Sequence, residues 1–183
     1  RLVLRWTRSS IFVWAHGIEV WGKYGKRKTS KLQYATKAIA VSKFTRDKLK
    51  KNFPSLSISV INNSIDHALY DLSASPLKSK QFEILTVGRL CLHEGYKGHS
   101  IVIDAVALLK QRKINVRYNI VGTGDALENL INYAGSKGVA NLVEFHGYVD
   151  DSNISSIYAR ASLFVMPSFV VERDNDEWSG EGF

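Results

Sequence analysis

Short apolar, β-branched runs alternate with amphipathic stretches along the whole chain, and most runs end in glycine or small polar residues. In the first half, residues 11–15 (IFVWA) predict a buried strand ending at His16-Gly17. Residues 30–38 have helical spacing, and 39–41 form a short strand. Residues 42–52 follow as a helix, with Ser42 or Thr45 as N-cap and Phe44 and Leu49 turned inward. Residues 56–61 (LSISVI) alternate as a strand and stop at the turn-forming Asn62-Asn63-Ser64. The Ser/Ala/Pro/Lys stretch 71–80 reads as a linker.

Beyond the linker a strand-then-helix unit repeats. Strands are predicted at 82–87, 116–121, 142–145 and 163–166, and helices at 99–113, 126–137 and from Ser152, as cap, to Arg160. The helix at 99–113 carries Ile101, Ala105, Leu108 and Leu109 on one face. Four strands alternating with helices mean an α/β fold with a parallel sheet and right-handed crossovers. The acidic stretch 169–179 reads as a loop.

The 183 residues hold one large domain or two small ones, and 45% hydrophobic residues suffice for a core. The net charge of +8 is divided unevenly: residues 1–80 carry +12 and residues 81–183 carry −4. Two units with different partners follow from that asymmetry, at 1–80 and 81–183. Basic clusters at 23–31 and 43–51 serve either solubility or attraction to an anionic surface. The single cysteine, Cys91, leaves no internal disulfide framework and no cysteine-based zinc site, and fits a reducing compartment. No uninterrupted apolar run is long enough for a membrane span.

The richest chemistry follows the 82–87 strand. Gly88 and Arg89 end it, and Lys97-Gly98 precede the next helix. Ligands of open α/β sheets bind outside the carboxyl ends of the strands. Two cations there suit phosphate oxygens, and the glycines let the backbone approach closely. This is half of a nucleotide-diphosphate pocket. Gly122-Thr123-Gly124 invites a dinucleotide reading, but Leu127 stands where the third glycine is wanted. Glu144 has the spacing of a ribose-binding acid, yet it reads as a partly exposed strand residue beside Phe145. No two histidines have the spacing of a helix metal motif.

In this order, the motifs resemble those of the retaining, nucleotide-sugar-dependent glycosyltransferases of family 4. His16-Gly17-Ile18-Glu19 is similar to that family's histidine loop, and Ala40-Val41-Ser42 to its "A-x-S" segment. Residues 60–66 (VINNSID) resemble "V-I-P-N-G-I-D", with Asn62 for proline and Ser64 for glycine. Val87-Gly88-Arg89-Leu90 with Lys97-Gly98 matches the phosphate loop, 121–124 "V-G-x-G", and 145–149 "F-x-G-x-V". Pro167-Ser168 and Glu181-Gly182-Phe183 match "P-S…E-G-F-G".

The resemblance implies a GT-B-like architecture, two Rossmann-like parallel-sheet domains facing a cleft, both incomplete in this chain. The later part of the N-terminal, acceptor-side domain would fill 1–80, and the earlier part of the nucleotide-sugar domain 81–183. It implies transfer of a sugar from a UDP- or GDP-linked donor to an acceptor hydroxyl with retention, in polysaccharide or glycolipid synthesis. Arg89 and Lys97 would hold the diphosphate, with Gly88 in the same loop. Gly122, Gly124, Tyr148 and Val149 would lie near the nucleotide, and Gly182 and Phe183 would offer backbone N–H groups. His16, with Gly17, would bond the donor sugar, and Glu181 its hydroxyls. No metal or other cofactor is expected. The expected partners are the nucleotide sugar, a carbohydrate or lipid-linked acceptor and an anionic membrane surface, with no nucleic acid. The expected location is cytoplasmic, at the inner face of a membrane. The rivals are a polyanion- or nucleic-acid-binding protein using the basic half, and a non-catalytic sugar-nucleotide binder. This sequence fragment alone is expected to be inactive.

Overall fold

The computed structural model describes residues 10–17, 19–21, 30–65, 81–173 and 177–181. The backbone groups into two units, Arg1–Ile65 with Val170–Phe183, and Asp66–Phe169. The linker read at 71–80 lies outside the described residues, and so does most of the basic cluster at 23–31. Residues 170–181, taken from sequence with the second unit, group with the first.

In the first unit, strands β1 (Phe12–Ala15), β2 (Lys37–Ala40) and β3 (Ile58–Val60) form a parallel sheet in the order β1-β2-β3. Helix α1 (Lys43–Asn52) starts at Ser42, whose hydroxyl accepts a hydrogen bond from the Thr45 amide. Leu49 is fully buried with Ala15, Val20, Trp21, Leu32, Ala38 and Leu56. Burying a leucine side chain of this kind stabilises by about 1.5–3 kcal/mol.

Two expectations change here. Residues 30–38 are not one helix: a 3-10 turn covers Ser30–Tyr34, and β2 already begins at Lys37 because Lys37 pairs with Phe12. Pairing in the sheet outweighs the helical spacing. Phe44 does not enter the core; it stays exposed and packs edge-on against Trp21 at 5.1 Å, while Thr45 takes the buried position.

In the second unit, β4 (Phe82–Val87), β5 (Val116–Val121), β6 (Val143–Gly147) and β7 (Leu163–Phe164) form an all-parallel sheet in the order β6-β5-β4-β7. The chain builds outward from β4 to β6, then crosses back to lay β7 on the other side of β4. That reversal between β4 and β7 is a topological switch point, where such sheets open a crevice for ligands. The strand predicted at 163–166 is shortened to Leu163–Phe164, although the Val165 amide still reaches the Leu85 carbonyl at 2.8 Å. Tyr118, fully buried in β5, donates to Thr86 Oγ1 at 2.9 Å, and Thr86 donates to the Val165 carbonyl at 2.6 Å. Burial pushes the Tyr118 phenol well above its ordinary range, so it stays a donor.

Helix α2 (His99–Gln111) follows β4, α3 (Leu127–Ser136) follows β5, and α4 (Asp151–Arg160) follows β6. The buried face of α2 is His99, Val102, Ile103 and Val106, whereas Ile101, Ala105 and Leu108 are exposed and Leu109 is half-buried. Both stripes are apolar, so periodicity alone does not choose between them; the sheet does. Asp150 rather than Ser152 caps α4, accepting from the Asn153 amide at 3.0 Å, and Ser152 instead donates to Asp150. A carboxylate at that position also suits the positive end of the helix. Glu144 lies exposed on β6 and pairs with Arg117 at 2.8 Å, as a strand residue.

The acidic stretch read as a loop contains an antiparallel hairpin of β8 (Val171–Arg173) and β9 (Glu177–Ser179). Among the described residues, no helix is long and apolar enough to cross a membrane.

Candidate functional site

The carboxyl end of β4 carries the site. Gly88 and Arg89 leave the strand, a 3-10 stretch covers Leu92–Lys97, and Gly98 leads into α2. The Arg89 guanidinium reaches outward with 73% of its side chain exposed, and it is paired with the Glu94 carboxylate. Glu94 is itself buried, and its second oxygen lies 4.0 Å from the Lys97 ammonium. Lys97 is buried too, its aliphatic stem against Gly88 and its nitrogen 5.6 Å from the Tyr96 ring centre. One buried carboxylate thus holds two cations at the mouth of the switch point. Sequence reasoning missed Glu94; the opposite charges five residues after Arg89 and three before Lys97 were the available signal.

The turn after β5 is laced to this loop. The Gly88 amide donates to Val121, the Leu90 amide to Thr123 and the Ala126 amide to Leu90, all at 2.8–2.9 Å. Asp125 accepts from the Leu92 amide at 2.8 Å. Gly122, at φ +143°, passes so close that a Cβ would stand 1.9 Å from the Gly88 carbonyl oxygen, and Gly124 is similarly placed against Leu90. These glycines therefore have a packing role between the two loops, beside the donor role that the resemblance implies. On the other flank, Gly98 at φ +79° lies against Pro167, whose carbonyl oxygen would be 2.6 Å from a Cβ. The Phe169 amide donates to Tyr96 at 3.0 Å. The loops after β4, β5 and β7 thus meet around Arg89 and Lys97.

Buried polar atoms without a hydrogen-bond partner cluster here: Glu94 Oε2, His99 Nε2 and Ser168 Oγ. Buried polar groups are normally satisfied, and such a group of orphans suits a site that takes a polar ligand. A cavity of about 240 Å³ beside the loop is lined by Cys91, Glu94, His99, Asn129 and Tyr133, among others.

His99 is held below its ordinary pKa by burial first and by the Lys97 charge second. In the unfolded chain it takes a proton as pH falls through about 6.5, while the folded protein resists it. The stability that neutral His99 permits is therefore whole above that pH and declines below it. Urea midpoints measured at pH 7.5 and about 5.5 are expected to fall more for wild type than for His99→Gln; equal falls would remove His99 as the cause.

Tyr148 and Val149 follow β6, the first exposed and the second half-buried. In the first unit, His16 is exposed at the end of β1 and stacks on Trp14 with ring centres 6.5 Å apart. The Glu19 carboxylate accepts from the Gly17 amide at 2.9 and 3.0 Å and from the His16 amide, which shapes that loop. Glu181 follows β9 and is half-buried, while Ile18, Gly182 and Phe183 lie outside the described residues. Among the sequence candidates, the structure brings together Gly88, Arg89, Lys97, Gly122 and Gly124.

The family model for glycosyl transferases group 1 matches residues 71–183. The chain belongs to this family. It is 27% identical over 165 residues to glycogen synthase of Mycobacterium tuberculosis, across 89% of this chain and 37% of that protein. Among solved structures it superposes on Anabaena HepE in complex with UDP and glucose with a TM-score of 0.72 and 24% identity, over 88% of this chain and 47% of the other. Sucrose-phosphate synthase of Thermosynechococcus elongatus gives a TM-score of 0.76 and 16% identity, over 100% and 48%. The chain thus spans less than half the length of each of these proteins, and the part present has the GT-B glycosyltransferase fold. In this family setting, the loop after β4 is the one the sequence marked by its arginine and lysine.

Proposed function

We propose that the protein works in sugar transfer from a nucleotide-diphosphate donor, UDP- or GDP-linked, to an acceptor hydroxyl with retention of anomeric configuration. The observation that carries this reading is the pairing of Arg89 and Lys97 around Glu94 at the switch point of a group 1 glycosyltransferase sheet. Breaking the bond from the sugar to the diphosphate leaves negative charge on the departing oxygen. A cation about 4 Å from it contributes on the order of 4 kcal/mol at an effective dielectric near 20. Two cations already in place need little rearrangement as that charge develops. Arg89, already outside, offers two parallel donors to phosphate oxygens, and Lys97 a point charge from below. No step of this reading requires a metal.

By the family resemblance, His16, Gly17, Glu181, Gly182 and Phe183 are assigned to the donor sugar and its phosphates, and Tyr148 and Val149 to the nucleotide. Synthesis of a polysaccharide or glycolipid suits the relatives' range. The Anabaena neighbour holds UDP and glucose, which favours UDP as the first donor nucleotide to try.

Calorimetry with UDP and with GDP tests the reading. Wild type is expected to bind one of them, and Arg89→Ala to bind it about 10–100-fold more weakly, the cost of a charged hydrogen bond. Binding of neither nucleotide by the whole protein overturns the reading.

The basic first half, including Lys43, Lys50 and Lys51 exposed on or near the end of α1, is proposed to dock the enzyme on the anionic, cytoplasmic face of a membrane that holds the acceptor. In sedimentation with liposomes, vesicles with anionic lipid are expected to carry down more protein than neutral ones. Equal binding to both sinks that docking.

A further inference from the structure

The loop that holds Arg89 also gathers ligating atoms, and two of their residues, Cys91 and His93, have no part in the sugar-transfer reading. The Cys91 thiol sulfur, an imidazole nitrogen of His93 and a carboxylate oxygen of Glu94 all lie within 4.8 Å of one another. Cys91 is a free thiol and half-buried, His93 is exposed, and Glu94 is buried. The backbone between them is pinned: the Leu92 amide donates to Asp125 at 2.8 Å, and the Glu94 amide to the Cys91 carbonyl at 2.9 Å. A second observation points to a ligand at the same place. Glu94 is more than nine-tenths buried, and its Oε2 makes no hydrogen bond, its nearest cation being the Lys97 ammonium at 4.0 Å.

We propose that Cys91, His93 and Glu94 bind a divalent cation of the zinc class, and that the bound ion strengthens anion binding at Arg89. One thiolate, one imidazole and one carboxylate make a borderline-soft donor set, which suits zinc and does not suit magnesium or calcium. Bond lengths of about 2.0–2.3 Å put tetrahedral ligand atoms about 3.3–3.7 Å apart. The three atoms must therefore close by roughly 1 Å, which rotation of the exposed His93 side chain can supply. Three protein ligands leave a fourth position for water. Such a site departs from the sequence expectation of no cysteine-based zinc site and no metal, because a mixed donor set needs only one cysteine.

The charge balance gives the sign of the coupling. On binding, the Cys91 thiol releases its proton to solvent, so a doubly charged ion adds one net positive charge to the loop. Glu94, drawn to the metal, loosens its hold on the Arg89 guanidinium. Both changes favour a phosphate beside Arg89, and by linkage the phosphate tightens the metal in return. The coupling rests on the nucleotide-diphosphate reading; the ion site does not.

Cobalt(II) tests the site, because thiolate ligation gives a charge-transfer absorption that carboxylate and imidazole do not. Wild-type protein titrated with cobalt is expected to show that band at one ion per chain, and zinc to displace it. Cys91→Ser is expected to abolish the band. His93→Ala is expected to weaken cobalt binding by more than the about 10–100-fold that loss of an outer-shell partner costs. No band from wild type, or a band that persists in Cys91→Ser, overturns the site. For the coupling, UDP affinity is measured by calorimetry in zinc buffered to a fixed free concentration and again with chelator. Zinc is expected to tighten UDP about fivefold or more in wild type and to leave His93→Ala unchanged. A cobalt band with zinc-independent UDP affinity overturns the coupling. UDP that fails to bind with or without zinc overturns the donor reading and the coupling with it, while the cobalt band still decides the ion site.

Discussion

Gly122→Ala is expected to lower the thermal midpoint of the protein by tens of degrees, with the loss read from circular dichroism on heating. The added Cβ would stand 1.9 Å from the Gly88 carbonyl oxygen and 2.9 Å from its carbon, both backbone atoms that no side-chain rotation can move away. The residue also sits at φ +143°, where an L side chain is strained by about 1–3 kcal/mol. Relief requires the loops after β4 and β5 to part, which breaks hydrogen bonds such as Gly88 to Val121 and Leu90 to Thr123. Each is worth about 0.5–1.5 kcal/mol. The total comes to roughly 3–5 kcal/mol, and a unit near 100 residues loses about 4–8 °C per kcal/mol. Gly135→Ala, a helical position where the new methyl meets nothing within 4 Å beyond its chain neighbours and its own helix backbone, is the contrast, expected to hold or raise the midpoint. A Gly122→Ala midpoint within a few degrees of wild type would show that the two loops are not packed as described.

Lys97→Met is expected to cost the protein both nucleotide affinity and stability, and the two losses separate by measurement. Methionine keeps the apolar stem that packs on Gly88 and removes only the charge. Glu94, 93% buried, then keeps Arg89 as its ion-pair partner among the described residues but loses the ammonium beneath it. Breaking a buried charge arrangement from one side costs up to about 3–5 kcal/mol. The remaining Arg89 pair keeps this case nearer about 1–2 kcal/mol, read as a lower urea midpoint. For nucleotide, the missing charged contact is expected to weaken binding about 10–100-fold in calorimetry of the folded variant. Unchanged nucleotide affinity in a stable Lys97→Met protein would restrict Lys97 to holding Glu94.

Much of the second unit was legible because its strands are short segments rich in β-branched, aromatic and other apolar residues, closed by glycine or proline and alternating with helical patterns. The arginine and lysine after β4 could be found for the same reason, since strand ends show where loops begin. What escaped were choices decided between elements. Helix α2 offers two apolar stripes, and only contact with the sheet selects His99, Val102, Ile103 and Val106. The glycines after β5 read as room for a ligand, whereas their immediate neighbours are the backbones of Gly88 and Leu90. Glu94 went unremarked in the sequence, and its role shows only in its burial between two cations. Lys37 was assigned to a helix because a strand partner twenty-five residues away leaves no mark in local spacing.

The hydroxyl chain from Tyr118 through Thr86 to the Val165 carbonyl ties β5, β4 and the end of β7 together across the point where strand order reverses. The switch point would be the natural hinge of such a sheet, and here one side-chain hydrogen bond, Thr86 to Val165, crosses it while a second, from Tyr118, anchors Thr86 to β5. Any adjustment to a ligand therefore falls to the loops above the strands. The floor beneath those loops is fixed like an anvil, tied by hydroxyls that lie within the sheet itself.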